Sequence, residues 1–158
     1  DLFMRFDLGN TWTGQFFTPY CICRMMSSLT ADDLKAQVEE KHWVHSHDPA
    51  CGAGATLIAF ANECKDQGVN YQTSALFVAQ DIDRTAALMC YVQLSLLGCP
   101  GYVVVGDSIC NPVTGPMLFP QCREGQEIWY TPMFFSDVWV GRRRVEIMRL
   151  FFEKGESA

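Results

Sequence analysis

The strongest constraint on the fold is the alternation of short apolar runs with longer helical patterns between Trp43 and Val105. Trp43 to Asp48 reads as a strand. Ala53 to Gln67 follows, with Leu57, Ile58, Ala61 and Cys64 on one face at helical spacing, and Gly68 supplies the stop. Ser74 to Ala79 is a second, buried strand that runs out into Gln80-Asp81. Arg84 to Leu97 is helical, with Ala87, Leu88, Tyr91, Leu94 and Ser95 facing inward and Gly98 as terminator. Tyr102 to Val105 forms a third strand, ending at Gly106-Asp107. Strands separated by helices of this length pair in parallel, because the chain must cross back over the sheet before the next strand begins. The expected fold class is therefore α/β, with a mostly parallel sheet flanked by helices.

The flanking segments read less regularly. A helix opens after Thr18-Pro19 and runs through Ile22, Met25, Met26 and Leu29, with Pro19 at a first-turn position where its missing N–H costs nothing. A second opens at Thr30, carries Asp32 and Asp33 in its first turn, and continues to about Lys41. Beyond Ser108, the residues Pro112, Gly115, Pro116 and Pro120 mark irregular structure. Ile128 to Phe135 is expected as a further strand, and Ser136 and Asp137 cap a last helix through Phe152. The organisation expected is one domain over 1–158, with a helical segment at 1–42, a core at 43–110, and an irregular segment plus C-terminal helix at 111–158. The sheet is expected to be short, with an exposed edge open to a partner chain.

Composition narrows the class. The 158 residues are 49% hydrophobic and 19% charged, which excludes a disordered or fibrous chain and allows a real core. No apolar run reaches the roughly 18 residues of a membrane-spanning helix. Asp1 to Asp7 show no basic region leading into an apolar stretch, so no signal peptide is expected. None of the eight cysteines forms a CxxC pair, and several sit inside apolar patterns as small hydrophobes. Reduced thiols and a cytoplasmic location are the expectation. His42, His45 and His47 cluster without a Cys or carboxylate to complete a ligand set, so no metal is expected. A net charge of −6 disfavours a broad nucleic-acid surface. Arg142-Arg143-Arg144 is the basic exception, read as a solvated helix face.

The chemistry lies where the three strands end. The first ends at Asp48 and passes through Pro49-Ala50-Cys51-Gly52-Ala53-Gly54 into a helix. Glycines there let a ligand approach the backbone, and the helix start offers free N–H groups to a carboxylate. The second ends at Asp81, placed to accept hydrogen bonds from a ribose diol. The third ends at Asp107, placed to accept one from an exocyclic amine. All three fall on the carboxyl edge of one sheet, where open α/β sheets bind ligands. The turn is not GxGxxG, which disfavours a nicotinamide dinucleotide, and no GxxxxGK[ST] is present, which excludes a P-loop.

The chain resembles the N6-adenine DNA methyltransferases, especially the methylation subunits of type I restriction-modification systems. Gly14-Gln15-Phe16-Phe17-Thr18-Pro19, Asp48 to Gly54, Gln80-Asp81-Ile82-Asp83 and Gly106-Asp107-Ser108 carry the resemblance, in the family's order and spacing, over about residues 12 to 110. The resemblance implies a Rossmann-like S-adenosylmethionine (SAM)-dependent methyltransferase fold, SAM as cofactor and DNA adenine as acceptor. It implies that Phe16, Thr18 and Pro19 line the methionine end of SAM, and that Asp48, Ala50 and Gly52 meet its amino-acid part. Asp81 would hold the ribose, Ile82 would pack on adenine, and Asp107 with Ser108 would meet the adenine amine.

The family's catalytic Asn/Asp/Ser-Pro-Pro-aromatic motif holds the target amine on two acceptors and stacks the flipped base on a ring. It does not occur here. Asn111-Pro112-Val113-Thr114 follows the third strand too closely and lacks the aromatic. Thr131-Pro132-Met133-Phe134 begins 24 positions after Asp107 and keeps one Pro and the aromatic, which makes Thr131, Pro132 and Phe134 the candidate catalytic residues. Trp129, Tyr130, Phe134, Phe135 and Trp139 suit either a local core or an interface with a protein partner or second copy. Two functions stay open: a methyltransferase acting on DNA adenine, and a SAM-binding regulatory or assembly subunit without methyl transfer. An unrelated nucleotide-binding protein is the remaining alternative.

Overall fold

The computed structural model describes residues 18–155. Three parallel strands, β1 (Val44–Asp48), β2 (Ala75–Asp81) and β3 (Gly101–Val105), lie in chain order, and β4 (Glu127–Tyr130) closes the sheet antiparallel to β3. The register aligns Asp48 with Ala79 and Asp81 with Val105, so all three parallel strands finish on one edge. The sheet is mixed α/β, flanked by helices, as the alternation of patterns requires.

Each crossover is built from local signals. Helix α1 (Tyr20–Thr30) is followed by α2 (Leu34–Lys41), which Asp33 caps by accepting from Ala36 N–H at 3.1 Å. Helix α3 (Ala55–Asp66) carries the chain from β1 to β2, through a one-turn helix α4 (Tyr71–Ser74) that the sequence pattern did not announce. Helix α5 (Arg84–Leu96) connects β2 to β3, capped by Asp83, whose carboxylate accepts from Ala86 N–H at 2.8 Å. After β4, a 3-10 turn (Pro132–Phe135) leads into α6 (Asp137–Gly155).

Side-chain alternation in β2 divides the core. Ala75, Phe77 and Ala79 face α3 and α5 with Leu57, Cys64, Ala87, Cys90 and Leu94. Leu76 and Val78 face the other way, with Tyr102, Val104, Leu118, Phe134 and Trp139. β2 is buried along its whole length, as expected for a parallel strand covered on both faces.

Several expectations change. The strand expected over Ile128 to Phe135 stops at Tyr130, because Pro132 has no N–H to give the ladder and Phe134 N–H turns back to Thr131 O at 3.1 Å. In α1, Ile22, Met25, Met26 and Leu29 are exposed, while small Cys23 and Ser27 are buried. Arg24 ties this helix to α3, bonding Ala59 O at 3.1 Å and Asp66 at 2.5 Å. The arginine run is not a solvated face throughout. Arg142 reaches Thr73 O at 2.8 Å and lies over Trp139, and Arg143 reaches Phe134 O at 2.7 Å and lies over its ring. Arg144 is exposed. Of the aromatic segment, Phe134 and Trp139 belong to the core, Trp139 meeting Trp43 edge-on at 5.9 Å, while Phe135 is exposed.

Candidate functional site

The Asp48 turn is fastened before any ligand arrives. Asp48 Oδ1 accepts from Ala50 N–H at 3.0 Å, and Oδ2 accepts from the Thr56 hydroxyl in the first turn of α3. Cys51 N–H donates to Gln80 O at 3.0 Å, and Gly54 N–H to Cys51 O at 2.8 Å. Gly54 sits at φ +89°, and a Cβ there would stand 2.8 Å from Cys90 Sγ. Only glycine meets both the left-handed backbone and the close packing on α5.

Asp81 joins the first turn to the second. Its Oδ2 accepts from Gly52 N–H at 2.7 Å and its Oδ1 from Asp83 N–H at 2.9 Å, with the residue only 8% exposed. A carboxylate oxygen has more than one acceptor site, so both can still take a ligand hydroxyl. Ile82, beside it, is 71% exposed and presents an apolar side chain at the strand end. Asp107 lies half-buried past β3, its Oδ1 accepting from Ile109 N–H at 2.8 Å and Cys110 N–H at 3.0 Å. Those two backbone donors, Cys110 first, hold its carboxyl below the ordinary range. Ser108 is half-buried in the same turn.

Thr18 and Pro19 are exposed at the start of α1. Burial pushes the Cys23 thiol up, with a smaller push from the charge of Asp48. Phe16 lies outside the described residues. Asp48, Ala50, Gly52, Asp81, Ile82, Asp107 and Ser108 thus fall along one edge, rich in carboxylate charge. Among the described residues, no group of three His, Cys, Asp or Glu side chains is placed to hold a metal. All eight cysteines are free thiols, five of them buried.

Thr131, Pro132 and Phe134 do not join this edge. β4 runs antiparallel, so Glu127 pairs with Val105 at the carboxyl end and Tyr130 with Tyr102 near the start of β3. Thr131 follows at the amino end. Its buried hydroxyl donates to Cys99 O at 2.7 Å and accepts from Gly101 N–H at 3.0 Å. Phe134 is 3% exposed in the core on that side. The expectation that these three residues hold the acceptor base is corrected: the direction of β4 carries them to the opposite end of the sheet from Asp48, Asp81 and Asp107.

Thr56 and Gln80 are residues that sequence reasoning missed. Thr56 lies eight residues after Asp48, two residues past Gly54, and only the fold reveals its hydroxyl on the carboxylate.

A parallel α/β arrangement with a glycine turn and acidic strand ends on its carboxyl edge is the kind of edge at which open α/β sheets bind ligands. The model of the N-6 DNA methylase family matches residues 7–144. The chain belongs to that family. No curated protein and no solved structure matches it. No helix among the described residues is long and apolar enough to cross a membrane.

Proposed function

We propose that this chain is a SAM-dependent methyltransferase domain directed at adenine N6 in DNA, with SAM lying along the edge formed by Asp48, Asp81 and Asp107. The observation that carries this reading is the Gly52 N–H to Asp81 hydrogen bond at 2.7 Å, which makes the glycine turn and the second acidic strand end one site. SAM brings a sulfonium and an ammonium, both cationic, together with a ribose diol and an adenine amine. The edge offers matching groups: carboxylates for the cations and diol, Ile82 for the ring face, and Asp107 for the amine. Thr18 and Pro19, at the start of α1, close the methionine side, with Phe16 preceding them. The segments 1–42, 43–110 and 111–158 act as one unit in this reading, with 43–110 holding the cofactor.

The protein's own part in the reaction is positioning. Bound SAM would supply the methyl group, and the Asp48 turn and Asp81 would hold its amino-acid part and ribose, which fixes the orientation from which a transfer gains most. With a net charge of −6, a DNA contact would rest on shape and a protein partner more than on charge.

A second reading, SAM binding without methyl transfer by this chain alone, is favoured by the place of Thr131 to Phe134 at the far end of the sheet. Incubating the protein with tritiated-methyl SAM and adenine-rich DNA separates the two. Label in DNA supports the enzyme. Bound SAM with no label supports the second reading, and no binding of SAM overturns both.

A further inference from the structure

We infer that Gln80 is a positioning residue, whose buried side chain sets the Asp107 turn in register with Asp81 and so fixes the site's preference for a 6-amino purine. The inference deepens the cofactor reading above and rests on it. Gln80 is 1% exposed, the next-to-last residue of β2, directly before the acidic strand end. Its Nε2 donates to Gly106 O at 3.3 Å and to Asn111 O at 3.1 Å, and its Oε1 accepts from Val113 N–H at 3.1 Å. One amide thus holds both ends of the turn that carries Asp107. Within that turn, Asn111 N–H returns to Asp107 O at 2.9 Å. Gln126 braces the same loop, donating to Asn111 O at 2.6 Å and accepting from Arg123 N–H at 3.0 Å.

The backbone of the same dipeptide reaches the other turns. Gln80 O accepts from Cys51 N–H at 3.0 Å, and Asp81 O accepts from Gly106 N–H at 2.9 Å. Gln80 and Asp81 therefore touch all three turns of the site. The side chain needed at position 80 must donate to two carbonyls and accept from one N–H at once, and glutamine does both. Methionine fills the volume and makes none of these bonds. Glutamate at neutral pH sets an oxygen against two carbonyl oxygens.

The test compares dissociation constants for S-adenosylhomocysteine and its 6-oxo inosine counterpart in the wild type, Gln80→Met and Gln80→Glu, with thermal melting to confirm folding. The wild type is expected to prefer the 6-amino compound. Gln80→Met is expected to reduce that preference by about tenfold, the scale of one well-placed hydrogen bond, while changing the affinity for the 6-oxo compound little. A general loss of stability would weaken both ligands alike. In Gln80→Glu the preference is expected to be poor at about pH 8 and to return in part at about pH 5.5, where a buried glutamic acid carries the proton it needs to donate to one carbonyl. If Gln80→Met fails to fold, the pH trend of Gln80→Glu decides. Folded variants that keep the wild-type preference at both pH values overturn the inference. A wild type that binds neither compound overturns the cofactor reading itself.

Discussion

Replacing Gly54 by Ala tests the turn at its most constrained point. Gly54 has φ +89°, and an added Cβ would lie 2.8 Å from Cys90 Sγ, 3.5 Å from Cys90 Cβ and 3.6 Å from Cys90 Cα. A left-handed conformation costs a non-glycine residue about 1–2 kcal/mol. Crowding against a fully buried thiol on α5 adds about 1–3 kcal/mol, because neither the helix nor the sulfur has space to retreat. Gly54→Ala is therefore expected to lose about 2–5 kcal/mol, the sum of those two costs. The two contributions separate in a double-mutant cycle. Cys90→Ala removes Sγ and leaves the backbone strain, so Gly54→Ala made in that background should cost less by about 1–2 kcal/mol. Urea denaturation at constant m-value gives all four stabilities. Strict additivity, or a cost below about 0.5 kcal/mol for Gly54→Ala, refutes the packing argument, since both lie outside the range that strain and overpacking allow.

Thr131→Val keeps the shape but leaves Gly101 N–H and Cys99 O without their partner, so it should destabilise by about 1–3 kcal/mol in denaturant while SAM affinity stays unchanged. A selective loss of SAM affinity would return Thr131 to the functional site. Trp139→Ala empties a fully buried site against Trp43 and loses the bond to Gln72 O, and about 3–5 kcal/mol is expected by the same measurement. Asp107 has a folded-state pKa below its unfolded value, so its contribution is present above the unfolded pKa and is lost as pH falls through the folded one. Acid unfolding of Asp107→Asn should therefore be shallower below about pH 4 than that of the wild type; identical acid curves would contradict the two backbone hydrogen bonds.

What could be read from the sequence follows the range of each signal. The parallel core was legible because apolar runs, helical spacing and glycine stops are local, and the acidic strand ends follow directly from where those runs finish. Asp48, Asp81 and Asp107 fall together for that reason. Direction was not legible for β4. A short strand after a loop broken by Pro112, Pro116 and Pro120 carries the same pattern whichever way it runs, yet its direction decides which end of the sheet receives Thr131. Pro132 did carry a usable signal, since a residue without an N–H ends a ladder. The partners of Thr56, Gln80, Arg142 and Arg143 were not legible, because each bonds a group that only the fold brings near: Gln80 and Val113 are separated by 33 positions, and Arg142 and Thr73 by 69. In α1 the small Cys23 and Ser27 allow a close approach to α3, and their side is the one buried rather than that of Ile22, Met25, Met26 and Leu29.

Calorimetric titration of SAM into the wild type and Asp81→Ala tests directly whether the edge binds SAM through Asp81. Removing the carboxylate releases Gly52 N–H and Asp83 N–H together with the acceptor for the ribose diol. Saturable one-site binding to the wild type, weakened about tenfold or more in the variant, is the predicted result, on the scale of a charged hydrogen bond. Binding of equal strength in both proteins, or none in the wild type, would contradict the account.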